Sequence, residues 1–327
     1  MQQFDLIIIG AGPTGLSCAI EAEKAGLHYL VVEKGVLVNS LYHFPTNMTF
    51  FSTSKLLEIG DTPFISHSDK PTRMEALEYY RRIAEKWKLH IKLYEEVEAL
   101  LIQEDQSYLL KTNKTTYHTD SVIVSTGFYD TPRMLNVPGE KLNKVRHYND
   151  DPDPYANQKV LVIGAANSAC DVALETYYKG AEVSMAIRES EIYPKVKYWI
   201  RPNIINRIKE GSIKAYFDTT VKEIHPTEVV LNTPKGEIVI PNDFVLAMTG
   251  YQPNYPLLKR LGIHISNDHY NIPDHHPKSL ETNLPNVFVA GVICAGKQTS
   301  KLFIENTRDH GSIIIQHLLK KEQTPAA

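Results

Sequence analysis

The stretch Leu6-Ile7-Ile8-Ile9-Gly10-Ala11-Gly12-Pro13-Thr14-Gly15 decides the fold. Four aliphatic residues in a row read as a strand buried on both faces. The Gly-x-Gly-x-x-Gly behind them reads as a turn into a helix. The requirement is steric: the first glycine allows the tight turn, the second lets a pyrophosphate reach the backbone, and the third lets helix pack on strand. N–H groups of the first helical turn, at the positive end of its dipole, then face the phosphates. The helix runs on through Leu16-Ser17-Cys18-Ala19-Ile20-Glu21-Ala22 and stops at Gly26. A second strand, His28-Tyr29-Leu30-Val31-Val32, leads into Glu33. A carboxylate about 20 residues beyond the glycines is placed to bind a ribose diol. Strand, glycine turn, helix, strand and acid together point to a dinucleotide; they do not by themselves separate FAD from NAD.

The same construction recurs mid-chain. Val160-Leu161-Val162-Ile163 precedes Gly164-Ala165-Ala166-Asn167-Ser168-Ala169, and a helix follows through Asp171 to Lys179, ending at Gly180. Alanine in the third position still satisfies the fingerprint. Alanine in the second holds the phosphates slightly away, and Asn167 and Ser168 add side-chain donors at the helix start. The next strand, Glu182-Val183-Ser184-Met185-Ala186-Ile187, ends in Arg188 rather than an acid. An acid would bind a 2′-hydroxyl and repel a 2′-phosphate; arginine does the reverse. The second site is therefore expected to take NADPH, with Glu189 beside the arginine as the opposing charge.

The rest of the chain narrows the class. Its 327 residues suffice for about two domains. With 35 Lys and Arg against 38 Asp and Glu, net −3, no charge bias calls for nucleic acid or an anionic membrane. The opening residues run straight into the first strand without a leader, and no apolar run approaches the ~20 residues of a membrane helix. A cytoplasmic protein is expected. The three cysteines, Cys18, Cys170 and Cys294, form neither a Cys-x-x-Cys redox pair nor a zinc knuckle. His275-His276, between Pro273 and Pro277, lack matching ligands and read as a surface loop, so no metal is expected. The tail Lys320–Ala327 is expected to fray.

Two further segments carry a resemblance. Asp120-Ser121-Val122-Ile123-Val124-Ser125-Thr126-Gly127 and Thr282-Asn283-Leu284-Pro285-Asn286-Val287-Phe288-Val289-Ala290-Gly291 resemble segments of two-dinucleotide flavoprotein reductases. The resemblance implies FAD in the first cradle, held by Gly10, Gly12, Pro13, Thr14, Gly15, Glu33, Lys34, Thr126, Gly127, Gly291 and Lys301. It implies NADPH in the second, held by Gly164, Ala166, Asn167, Ser168, Ala169 and Arg188. It also implies an α/β fold of two Rossmann-like, three-layer domains, the NADPH domain inserted into the FAD domain. The expected parts are 1–152 and 250–327 for FAD and 153–249 for NADPH, crossing at the polar, proline-rich Asp150-Asp151-Pro152-Asp153-Pro154 and returning near Thr249. Where the family has Gly-Asp, this chain has Gly291-Val292, which removes a carboxylate that binds the ribityl chain. A closing helix around Lys301–Asn306, capped by Thr299 or Ser300, is expected to face the flavin.

Within that superfamily the chain resembles the bacillithiol disulfide reductases. The matching stretches are Phe50-Phe51-Ser52-Thr53-Ser54, Ile59-Gly60-Asp61-Thr62-Pro63-Phe64, Tyr198-Trp199-Ile200-Arg201-Pro202-Asn203 and Phe303-Ile304-Glu305-Asn306. The resemblance implies a homo-oligomer that uses NADPH to reduce a small disulfide or a small redox protein. The family carries a proposed redox cysteine inside the first cradle, where this chain has Thr14. Cys18, one helical turn on, and Cys294, after Gly291, are the remaining thiol candidates; Cys18 reads first as packing and Cys294 as a non-reactive loop cysteine. The alternatives are an NADPH:ferredoxin or flavodoxin reductase, a flavin monooxygenase, or a flavin-based redox sensor.

Overall fold

The computed structural model describes residues 2–149 and 151–322. Asp150, within the expected crossing, and residues 323–327 of the tail lie outside the described residues. The chain forms two compact units: one from 1–43, 48–131 and 251–327, the other from 44–47 and 132–250. The second unit takes up the chain at Pro132, ahead of the crossing expected at 152–153. The reason is local: Val145 and Arg146 form an edge strand on its sheet.

The first unit opens with β1 (Gln3–Ile9), α1 (Pro13–Lys24) and β2 (Tyr29–Val32). Helices α2 (Asn39–Tyr42) and α3 (Arg73–Lys86) follow, with strands β3 (Ile91–Lys92), β4 (Val97–Ile102), β5 (Tyr108–Thr112) and β6 (Thr116–Val124). Helix α3 starts at a reciprocal cap: Thr72 Oγ1 accepts from Glu75 N, and the Glu75 carboxylate accepts from Thr72 N.

The second unit contributes β7 (Val145–Arg146), β8 (Lys159–Ile163), α4 (Asn167–Tyr178), β9 (Glu182–Ala186), α5 (Arg201–Lys209) and β10 (Lys214–Tyr216). The hairpin strands β11 (Thr220–Ile224), β12 (Glu228–Thr233) and β13 (Gly236–Pro241) precede β14 (Phe244–Ala247). The first unit is completed by α6 (Tyr255–Arg260), β15 (Val287–Val289) and α7 (His310–Glu322).

In the first unit the sheet order is β3-β2-β1-β6-β5-β4, with β15 also on β6. The long β6 serves both neighbours: its first half pairs antiparallel with β5, and Val122–Val124 pair parallel with β15. In the second unit β10-β9-β8-β14-β7 is wholly parallel, and β11-β12-β13 is a separate antiparallel sheet. Parallel strands are buried on both faces, which is why Leu6–Ile9 of β1, Leu30–Val32 of β2, Val160–Ile163 of β8 and Val245–Ala247 of β14 are unbroken aliphatic runs. In each sheet the carboxyl ends of the parallel strands share one edge, and both glycine turns sit on such an edge.

Candidate functional site

In the first unit Gly10 leaves β1 at φ +103, a conformation L side chains rarely adopt, and an added Cβ would lie 2.8 Å from Ser125 O. Gly15 is packed harder still: its Cβ would fall 1.9 Å from Gly10 O. At Gly12 a Cβ would meet nothing within 4 Å. The turn is thus packed against protein at its first and third glycines and open at the second. Gly12 is the N-cap of α1 and supplies no side-chain cap, and Pro13 takes the first turn. Ser125, which sequence reasoning passed over, donates its hydroxyl to Ile9 O and Gly10 O at 3.0 Å and pins the turn to β6.

Glu33, at the end of β2, is buried. Its two carboxylate oxygens accept from Ala11 N at 2.8 Å and Gly35 N at 2.9 Å. Burial raises its carboxyl above the ordinary value, against the pull of those two N–H groups. Lys34 pairs with Asp130 at 2.8 Å. Thr126 and Gly127 follow β6 on the same edge, with Gly127 at φ +67.

The closing segment differs from expectation. Residues 298–301 form a turn, Ile304–Asn306 a single 3-10 turn, and helix begins only at His310. Thr299 and Ser300 cap nothing there, and Lys301 is exposed in the turn. The interruption lies at Thr307, held at φ −124. Its hydroxyl bonds Phe303 O at 2.8 Å and lies 3.1 Å from the hydroxyl of Thr14, both residues being buried. Thr14 also faces Gly291, whose added Cβ would lie 3.1 Å from Thr14 Oγ1. Gly291 N donates to His310 Nδ1 at 3.1 Å. Thr307 and His310 had no local sequence signal, because their partners lie far along the chain.

All three cysteines are buried as free thiols. Burial pushes Cys170 and Cys294 up to about 12 and Cys18 higher still. Cys18 packs beneath α7: a Cβ on Gly311 would lie 2.9 Å from Cys18 Cα. His275 and His276 lie in a loop, with His275 Nδ1 2.6 Å from Pro273 O and His276 Nδ1 accepting from Ser279 N at 3.2 Å.

In the second unit Gly164 stands at φ +125, its added Cβ 2.6 Å from Met248 O and 3.2 Å from Ala169 Cβ. Ala166 is the N-cap of α4 and, like Gly12, brings no side-chain cap. A segment unread in the sequence folds beside this turn. Tyr193 N donates to Ala165 O at 3.1 Å, Lys197 N to Asn167 Oδ1 at 2.9 Å, and Lys197 Nζ pairs with Asp171 at 3.0 Å. The Asn167 oxygen is therefore taken up by Lys197. Ala169 is buried and Ser168 exposed at the start of α4. Arg188 lies beyond β9, 79% exposed and paired with Glu189 at 2.6 Å.

Both turns have the form that a dinucleotide requires. Each has an uncapped helix start, a positive-φ glycine after the strand and a charged residue one strand over: the Glu33 carboxylate in the first, the Arg188 guanidinium in the second.

Comparison with known proteins agrees. The family model described as pyridine nucleotide-disulphide oxidoreductase matches residues 7–291. Bacilliredoxin reductase Bdr of Bacillus subtilis (strain 168) is 42% identical over 323 residues, 98% of this chain and 99% of that protein. The solved bacillithiol disulfide reductase Bdr from Staphylococcus aureus superposes with a TM-score of 0.95 at 40% identity, covering 99% of this chain and all of that one. A thioredoxin reductase from T. acidophilum, at 20% identity and TM-score 0.78, shares the fold.

Proposed function

The chain belongs to the pyridine nucleotide-disulphide oxidoreductase family, and from that premise we propose that it is an FAD-containing, NADPH-dependent reductase of a low-molecular-weight thiol disulfide of the bacillithiol disulfide kind. Its enzymatic character as a flavoprotein reductase follows from the family; the two specific cofactors and the acceptor are the proposal. The observation that most supports it is the pairing of a buried Glu33 with one cradle and an exposed Arg188 with the other. The carboxylate suits a ribose diol and the guanidinium a 2′-phosphate. FAD would be held by Gly10, Gly12, Pro13, Thr14, Gly15 and Glu33, with Thr126, Gly127 and Gly291 along the same edge. NADPH would be held by Gly164, Ala166, Asn167, Ser168, Ala169 and Arg188. When bound, the flavin supplies a two-electron carrier between nicotinamide and acceptor.

What the chain's own residues contribute is binding, orientation and the exclusion of thiol chemistry. Thr14 occupies the cradle position nearest Gly291 with a hydroxyl that cannot form a mixed disulfide. The cysteines are buried and their thiols held far above neutral, so none is a thiolate nucleophile at pH 7. The proposed turnover, RSSR plus two electrons and two protons giving two RSH, therefore passes through no disulfide between protein and substrate. The names of the two Bdr relatives support both a bacillithiol disulfide and a bacilliredoxin as acceptors.

The test is NADPH consumption by the FAD-loaded protein with bacillithiol disulfide, oxidised bacilliredoxin, ferredoxin, or oxygen alone. Turnover is expected with the disulfide, the redox protein or both, and is expected to survive in the triple variant Cys18→Ala, Cys170→Ala, Cys294→Ala. Activity confined to ferredoxin would replace the substrate reading. Loss of disulfide turnover on Cys294→Ala alone would overturn the thiol-free route.

A further inference from the structure

The strand order gives the first cradle a direction. Glu33 ends β2 on one side of β1, and Gly291 follows β15 on the other side, beyond β6. A dinucleotide whose ribose diol sits on Glu33 crosses the glycine turn and carries its other half toward Gly291. There the side chains present a particular set of polar groups. Val292 carries none. The hydroxyls of Thr14 and Thr307 face each other, and Thr307 also binds Phe303 O. His310, half-buried at the start of α7, uses Nδ1 to accept from Gly291 N. Its Nε2 makes no hydrogen bond among the described residues.

We propose that His310 is a positioning residue for the flavin, holding the Gly291 backbone with Nδ1 and offering Nε2–H to the half of the cofactor that lies beyond the pyrophosphate. This rests on the reading that the first cradle takes FAD. The chemistry of the ring sets the roles. A lone pair on Nδ1 that faces an N–H puts the single proton of a neutral imidazole on Nε2. The imidazole stays neutral: burial and the nearby His275 lower it to about 4, against the opposing charge of Asp309. Protonation would set an Nδ1–H against the Gly291 N–H, so the arrangement and the neutral state require each other. A neutral donor here adds no charge beside a cofactor that gains electrons.

Two variants separate this role from a structural one. His310→Asn keeps an oxygen within reach of Gly291 N but ends short of the Nε2 position; His310→Ala removes both. The measurements are the thermal midpoint of the deflavinated chain and its dissociation constant for added FAD, followed by flavin fluorescence. The expected result for His310→Asn is an unchanged midpoint with FAD held about tenfold more weakly, the size of one lost hydrogen bond. His310→Ala should lose at least as much affinity. Wild-type FAD affinity in His310→Asn would show that only the Gly291 contact matters and would overturn the proposal. A wild-type chain that does not bind FAD at all would remove the cofactor reading first, an outcome distinct from a failure at His310 alone.

Discussion

At the scale of single residues, the second and third glycines of the first turn make opposite predictions. Gly15→Ala drives a methyl into the backbone oxygen of Gly10, 1.9 Å away, with the Ser125 hydroxyl oxygen at 2.8 Å. It should destabilise the first unit by about 3 kcal/mol, seen as a lower thermal midpoint of the cofactor-free chain. Gly12→Ala, at φ −72 and with open space around the new methyl, should change that midpoint by less than about 1 kcal/mol. It should nevertheless weaken FAD retention, because the open space is where the phosphates belong; FAD bound normally by Gly12→Ala would refute the cradle.

Glu33 adds a pH prediction. Its folded value is raised, so between the ordinary and the raised value the folded chain holds a proton that the unfolded chain has released. Stability from this group is then present at lower pH and is lost as pH rises through the folded value. The midpoint of the wild-type apoprotein minus that of Glu33→Gln should therefore grow as pH falls through that window; a flat difference would deny the shift. The glycines and Glu33 were legible because their constraint is local: each answers to neighbours a turn or a strand away. Thr307 and His310 were not, since their roles arise only when the C-terminal segment comes back to Thr14 and Gly291.

At the scale of elements, the buried parallel strands announced themselves as aliphatic runs, and α1 and α4 by the glycine turns before them. The closing helix did not. The residues Lys301–Asn306 carry no helix breaker, yet Thr307 is held out of helical geometry by Phe303 O and sits against Thr14, so α7 starts at His310. The hairpin strands β11 and β13 and the edge strand β7 escaped reading for a related reason: short alternating strands acquire meaning only from the partners that pair with them.

Helix α7 also makes a prediction of its own. It runs so close to α1 that a Cβ on Gly311 would lie 2.9 Å from both Cys18 N and Cys18 Cα. Gly311→Ala should push the helices apart at a cost of about 1–3 kcal/mol. It should also speed amide hydrogen exchange along α7 while leaving exchange in the second unit unchanged. Uniform acceleration in both units would mean that α7 unfolds only with the whole chain.

At the scale of the whole molecule, the two cradles fall in different compact units, so damage to one half of the reaction should leave the other half intact. Arg188 is the place to test this. Its pair with Glu189 is exposed on both sides, and such pairs contribute about 0–1 kcal/mol, so a phosphate can displace the carboxylate at little cost. An arginine–phosphate contact is stronger, being charge-assisted and bidentate. Arg188→Ala should raise KM for NADPH by about tenfold or more, a charged hydrogen bond's worth, while leaving turnover with NADH as it was. Glu189→Ala should move KM for NADPH the other way, since it removes the competing anion. In both variants the flavin content and the reduction of the bound flavin by dithionite should match wild type, because the first unit is untouched. If Arg188→Ala weakens NADH and NADPH equally, the arginine supports the fold of the second unit instead of selecting the phosphate. If it also strips the flavin, the two units are not independent in the sense that their separate sheets and cores imply.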